Sequence, residues 1–174
     1  MGSEMCIRDS FYSFINVADT QFLFPGNMPE RIRKYCEKTN QKIPEDTGQI
    51  VRVILESLAM EYRFVMEKLE EIIGRRIEIV HIVGGGSKNK LLSQFAASAM
   101  KKTVITGPSE ATVTGNLLVQ AMSEGEISDI YQLREIVRNS FPLIIYQPQD
   151  TSLWDEKYWI YKDLKRYSEG DSEF

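Results

Sequence analysis

The most regular pattern of apolar and polar positions runs from Val51 to Ile72. There Val51, Ile54, Leu55, Leu58, Tyr62, Val65, Leu69 and Ile72 recur at steps of three and four, with Glu56, Arg63, Glu67, Lys68 and Glu71 between them. That period predicts a long amphipathic helix whose apolar stripe faces a core. Its start falls near Pro44–Thr47, where Asp46 or Thr47 can accept from the free backbone N–H groups of a first turn. Gly74 is its natural stop, because glycine enters the left-handed region freely. Beyond it, Ile77–Val83 is β-branched and almost continuously apolar, the signature of a buried strand, and Gly84, Gly85 and Gly86 break it. Leu91, Leu92, Phe95, Ala96, Ala99 and Met100 share one face of a predicted helix over Lys90–Met100. Thr103–Thr106 reads as a second, short strand, closed by Gly107-Pro108.

Weaker patterns flank this block. Phe11–Val17 is apolar and aromatic, with strand character. A loop over Ala18–Asn27 carries Asp19, Pro25 and Gly26, and a short helix follows over Pro29–Thr39, with Pro29 in the first turn. Ser109 is the expected N-cap of a helix over Glu110–Glu124 that ends at Gly125, and Ser128 of another running to about Asn139. Phe141–Tyr146 has strand character, and Pro142 favours a sheet edge. From Asp150 onward Leu153, Trp154, Tyr158, Tyr161 and Leu164 have rough helical spacing, and Ser168–Phe174 is polar and expected to fray. Met1–Ser10 has neither period and reads as a non-native or mis-joined leader. The order strand, helix, strand, helix, helix after residue 77 predicts an α/β layer arrangement.

Composition narrows the function classes. The chain has 174 residues, 43% of them hydrophobic and 26% charged, with a net charge of -4 and a pI of about 5.2. Basic and acidic residues are interspersed, without the basic stripe of a nucleic-acid binder. No apolar run reaches the roughly 18–20 residues of a membrane span, and no secretory leader is visible. The two cysteines, Cys6 and Cys36, form no C-x-x-C pair, and His81 is the one histidine, so no zinc site is expected. A reducing cytoplasm is the expected setting.

The candidate chemistry sits in Val83–Lys90, VGGGSKNK, between a predicted strand and a predicted helix. Adjacent glycines let a ligand approach backbone without meeting a Cβ, and the following helix turns free N–H groups and the positive end of its dipole toward it. Ser87 can cap that helix, and Asn89 can offer its amide to a phosphate, ribose or base. The spacing fits neither G-x-x-x-x-G-K-[ST] nor G-x-G-x-x-G. A glycine run after a strand also serves as a plain tight turn or a close helix–strand contact.

The wider segment adds to that reading. Gly84–Gly86 with Asn89, Leu91-Leu92 with Gln94, Val104 with Gly107-Pro108, Glu110-Ala111 and Gly115-Asn116 follow one another at spacings that resemble the C-terminal domain of FGGY-type carbohydrate kinases. The Gly115-Asn116 form is most similar to the rhamnulokinase branch of that family. Asp19, Phe22, Met28, Cys36, Ile43-Pro44-Glu45 and Ser57-Leu58-Ala59 fit the same pattern, and the resemblance covers roughly residues 13–148.

The resemblance implies a partial α/β domain of the actin-like, ribonuclease-H-like ATPase fold. Residues 11–150 would form part of the C-terminal FGGY domain, and residues 151–174 a helical tail. It implies that Gly84, Gly85, Gly86 and Asn89 line an ATP site, that ATP or ADP is the partner, and that Mg²⁺ assists phosphorylation of L-rhamnulose at its 1-hydroxyl. The sugar pocket and catalytic base belong, in such kinases, to an N-terminal domain for which no counterpart is found here, so no residue of this chain is assigned a catalytic role. A non-catalytic actin-like nucleotide-binding module, or an FGGY kinase for another sugar, are the alternatives. Asp19, His81, Cys36, Trp154, Tyr158 and Tyr161 are expected to be structural. Lys88 and Lys90 can attract phosphate, Glu110 is expected to favour its helix through the dipole, and Ala111 and Gly115 are expected to permit close packing.

Overall fold

The computed structural model describes residues 10–170, and side chains through residue 166. Six helices and three strands follow in order: α1 (Met28–Lys38), α2 (Thr47–Ile73), β1 (Ile79–Ile82), α3 (Lys90–Met100), β2 (Thr103–Thr106), α4 (Ala111–Ser123), α5 (Ile130–Ser140), β3 (Ile144–Tyr146) and α6 (Thr151–Gly170). The strands form one sheet in the order β1-β2-β3. β1 and β2 are parallel, joined through α3, and β3 runs antiparallel on the far side of β2.

Caps set the helix ends. Asp46 Oδ1 accepts from Gln49 N–H at the start of α2, and Gly74, at φ 67°, ends it. Asn27 accepts from Glu30 N–H to start α1. Ser128 does not cap α5: Asp129 does, accepting from Tyr131 and Gln132 N–H, while the Ser128 hydroxyl donates to Gln132 Oε1. α4 begins at Ala111 with Glu110 in the cap position and no side-chain cap, so Ser109 does not fill that role.

Two apolar clusters hold the chain. In one, Phe14, Ile32, Cys36, Val53, Met60, Trp154, Tyr158 and Tyr161 join the N-terminal segment, α1, α2 and α6. The other lies between α3 and the sheet, where Ala96, Ala97, Met100 and Val104 meet Met66, Val80, Ile82 and Tyr146. Trp154, Tyr158 and Tyr161 of α6 are therefore core, as expected. Burial pushes the Cys36 thiol up to about 11, and the cysteine is free; Cys6 and residues 1–9 of the expected leader lie outside the described residues.

Several expectations need correction. Only part of the stripe read on α2 lies in the core: Leu55 is buried and Ile54 packs against the first cluster, but most of the rest of the stripe turns outward. Val51, Tyr62, Val65 and Leu69 are 36–46% exposed and Ile72 is 81% exposed. The buried residues are Ile50, Val53, Leu55, Glu56, Ser57, Ala59 and Met60, of which only Leu55 belongs to the stripe. α2 carries apolar side chains on two faces, and packing against α1, α3 and α6 buries mostly the less conspicuous one.

Phe11–Val17 is not a strand: Phe11 (φ 56°) and Val17 lie in turns, and the residues between them join no sheet. Its backbone groups are satisfied by side chains instead of a ladder. Ile15 N–H donates to Ser57 Oγ (3.0 Å), Asn16 N–H to the Tyr35 hydroxyl (3.2 Å) and Phe11 N–H to Glu56 Oε2 (2.7 Å). The Ser13 hydroxyl also donates to the Lys42 carbonyl. β1 is shorter than predicted and only half-buried on one face, through Val80 and Ile82, with Ile79 and His81 exposed on the other. Gly115 meets nothing within 4 Å and α4 buries no residue, so the expected close packing of that helix is absent among the described residues.

Candidate functional site

The carboxyl ends of β1 and β2 lie side by side, and each opens into a glycine-containing turn. Brought together in this way, parallel strands direct their following loops to one side of the sheet, where ligands of open α/β sheets ordinarily bind. After β1 the chain turns at Gly84 (φ 76°, ψ -163°), winds through a short 3₁₀ turn over Gly85–Lys88 and enters α3 at Lys90. That combination at Gly84 lies in a region nearly closed to residues with a Cβ.

Hydrogen bonds fix the turn. Gly84 N–H donates to the Pro108 carbonyl at 3.0 Å, and Gly107 N–H to the Ile82 carbonyl at 2.9 Å, so the two loops are stitched to each other. The buried Ser87 hydroxyl donates back to the Gly84 carbonyl at 2.7 Å. Ser87 is therefore an internal brace and not the cap of α3. Asn89 is the cap: its Oδ1 accepts from Leu92 N–H at 3.0 Å. The side chain is exposed, which leaves Nδ2 as the end of the amide that can face a ligand.

The glycines differ in what requires them. Gly84 needs its positive φ, and Gly107 lets the second loop close in, since a Cβ there would stand 3.2 Å from Val83 Cγ1. Neither reason applies to Gly85 or Gly86. A Cβ on Gly85 would meet nothing within 4 Å, and one on Gly86 would only touch Ile82 Cγ2 at 4.0 Å. Both are exposed, and among the described residues their N–H groups donate to no protein acceptor. Backbone conformation thus explains Gly84 and close packing Gly107, while Gly85 and Gly86 are left as open backbone beside a helix N-terminus, which suits an anionic or hydrogen-bond-accepting ligand.

A cleft of about 350 Å³ adjoins the turn, lined by Ser87, Lys88, Lys90, Thr106, Ser109 and Phe141 among others. Lys88 and Lys90 put positive charge on its rim. The Lys88 ammonium lies 3.9 Å from Glu110 Oε1, both largely exposed, so Glu110 partners the glycine turn as well as standing at the start of α4. The Gly107–Ser109 wall was within reach of the sequence pattern. Phe141 was not, because only the antiparallel return of β3 brings it beside the end of β2.

The other expected residues stand elsewhere. Asp19 accepts from Gln21 N–H and starts a 3₁₀ turn, a structural task. His81 is exposed on β1. No group of three or more His, Cys, Asp or Glu able to hold a metal ion occurs among the described residues. Among the same residues no helix is long and apolar enough to cross a membrane.

Comparison with known proteins places this geometry. Residues 8–124 match the FGGY family of carbohydrate kinases, C-terminal domain. The rhamnulokinase of Bacteroides thetaiotaomicron is 47% identical over 158 residues, which is 91% of this chain and 33% of that protein. That of Bacillus subtilis is 44% identical over 150 residues, 86% of this chain and 31% of that protein. That of Lactiplantibacillus plantarum is 35% identical over 157 residues, 90% of this chain and 31% of that protein. The chain thus spans about a third of the length of the curated relatives it matches. Among solved structures, the xylulose kinase from Rhodospirillum rubrum superposes with a TM-score of 0.57 at 15% identity, covering 72% of this chain and 26% of that one. The Plasmodium falciparum glycerol kinase with ADP superposes with a TM-score of 0.58 at 19% identity and the same coverages. These two likenesses carry the fold alone.

Proposed function

Because this chain belongs to the FGGY family of carbohydrate kinases, matching its C-terminal domain, we propose that it is the nucleotide-binding part of a rhamnulokinase-like sugar kinase, with Gly84, Gly85, Gly86 and Asn89 lining the ATP site. The reaction of the complete enzyme is transfer of the ATP γ-phosphoryl group to the 1-hydroxyl of L-rhamnulose. The observation that carries the reading is the pair Gly85 and Gly86, whose missing side chains neither backbone conformation nor packing accounts for. A phosphate or ribose drawn against that backbone accounts for both.

Phosphoryl transfer is catalysed by positioning and charge neutralisation. In that scheme the turn supplies N–H donors, the Asn89 amide a further contact, and Lys88 and Lys90 positive charge at the rim. Mg²⁺ in such a scheme would be held chiefly by nucleotide phosphates and water. The sugar pocket and the catalytic base are assigned to the part of the relatives that this chain does not match. The free, buried Cys36 suits a reducing cytoplasm.

Calorimetric titration of ATP and ADP into the chain tests the reading, with Gly85→Val as the control. Binding that disappears in a variant of unchanged thermal stability places the nucleotide at this turn. A folded wild-type chain that binds neither nucleotide, or a variant that binds as well as wild type, removes the site from Gly84–Asn89.

A further inference from the structure

α6 buries Trp154, Tyr158 and Tyr161 in the core but leaves Trp159 61% exposed. That indole stands in the wall of a cleft of about 380 Å³ between α6 and the turn after α1, lined also by Lys38, Asn40, Ile160, Asp163 and Leu164. Ligand pockets run from about 300 to 1,000 Å³, so this one suits a single small molecule. It shares no residue with the cleft beside the glycine turn. Ile160 and Leu164 belong to the first apolar cluster or pack against it, and they give the cleft an apolar lining anchored in the core.

The polar side chains around the indole fit one ligand chemistry. Trp159 and Asp163 are four apart on one face of α6, so a carboxylate stands one turn from the ring. Asp163 Oδ1 lies 3.6 Å from Arg166, both exposed, a pairing weak enough to yield to a hydroxyl donor. On the opposite wall Asn40 sits in the left-handed region at φ 53°. Its turn is fixed by Asn40 N–H donating to the Glu37 carbonyl at 3.1 Å and Gln41 N–H to the Cys36 carbonyl at 2.8 Å. Thr39 and Gln41 beside it are tied to Tyr35 and Phe14, so this wall is in place before a ligand arrives. Lys38 and Asp163 are opposite in sign and give the cleft no net charge with which to select an anion. A flat apolar ring face suits the indole, and hydroxyls at the rim of that ring suit a carboxylate and an amide. A closed-ring sugar carries both. We propose that this cleft binds a neutral pyranose, stacked on Trp159 and hydrogen-bonded through its hydroxyls to Asp163 and Asn40. The site lies on other elements than the nucleotide reading uses and does not depend on it.

Saturation-transfer NMR on the chain tests this, observing methyl α-L-rhamnopyranoside and methyl α-D-glucopyranoside as ring-locked probes and mannitol as an open-chain polyol. Saturable binding of at least one pyranoside is expected, with mannitol weaker. Trp159→Ala should lower the affinity by about tenfold or more, and Asp163→Asn by about tenfold. Tyr131→Ala is the control, an aromatic 76% exposed on α5, and should bind as wild type does. All three positions are exposed, so melting of the variants should match wild type. Absence of saturable binding to either pyranoside overturns the proposal, as does unchanged affinity in Trp159→Ala. Mannitol binding as tightly as the pyranosides removes the stacked ring, and AMP binding more tightly than they do through Trp159 makes the ligand a nucleotide; either result overturns it. Gly85→Val should leave pyranoside binding unchanged whatever the ATP titration shows. A loss there would put the sugar at the glycine turn and overturn the assignment.

Discussion

Gln41 occupies the place of a neighbouring strand beside Phe14: its Oε1 accepts from Phe14 N–H at 2.8 Å, and its Nε2 donates to the Phe14 carbonyl at 2.8 Å. A single side-chain amide thus satisfies both backbone groups of a residue that is 1% exposed. The same Nε2 lies 2.8 Å from Thr39 Oγ1, which ties the turn after α1 to this pairing.

Replacing Gln41 by Ala leaves a buried backbone donor and acceptor unpaired. Stability should fall by about 1–3 kcal/mol, read as a lower urea midpoint with an unchanged slope. An unchanged midpoint would show that the pairing contributes nothing.

The glycine turn predicts a contrast between neighbours. Gly84→Ala forces a Cβ into a backbone region nearly reserved for glycine and should cost about 1–3 kcal/mol. Gly85→Ala meets open space and should stay within about 0.5 kcal/mol of wild type. Equal losses at both positions would mean that Gly85 is required by the fold and would weaken the nucleotide reading.

Acid should destabilise the chain through two ion-paired carboxylates. The Lys102 ammonium, bonded at 2.6 Å to Glu70 Oε1 and at 2.7 Å to the Ile77 carbonyl, holds the Glu70 carboxyl below its usual range, helped by the Ile77 N–H. Burial by itself would raise Asp155, but hydrogen bonds from Lys101 and Arg63 hold it low. Both groups bind protons more weakly folded than unfolded, so their stabilisation is present above the ordinary carboxylate values of about 4 and is lost as pH falls below them. Urea midpoints measured downward from neutral pH should drop across that range, and Glu70→Gln with Asp155→Asn should flatten the drop. High salt should flatten it too, since both carboxylates are partly exposed.

α6 should behave as part of the core. Trp154 packs edge-on to Phe11 at 4.8 Å between ring centres and against Phe95 at 5.4 Å. Tyr161, fully buried, donates its hydroxyl to Glu61 Oε2 at 2.6 Å. Trp154→Ala should cost about 3–5 kcal/mol, visible as a lower calorimetric melting temperature. A loss below about 1 kcal/mol would mean that α6 is only loosely attached.

The candidate site was legible in the residues because its signals are local. Glycines after an apolar strand, an Asn before a helix and Gly-Pro after the next strand lie close in sequence, and each acts on its immediate backbone. What escaped notice was the division of labour inside the turn. Ser87 and Asn89 are both credible caps by residue type, and only coordinates show Ser87 turned back onto Gly84 while Asn89 caps α3. Phe141 reaches the cleft by the return of β3, and no short-range pattern announces that.

The sequence by itself determined the extent of α2, from Asp46 to Gly74, and the glycine turn between β1 and α3, because caps and glycine conformations depend on atoms a few residues away. Tertiary structure alone decided which face of α2 is buried. That choice depends on α6, whose Tyr161 and Lys165 reach Glu61 from 100 and 104 residues along the chain. It also decided that Phe11–Val17 would be held by Gln41, Ser57 and Tyr35 and not by a neighbouring strand. An apolar run records that a segment must leave water, and only the assembled fold says what it is buried against.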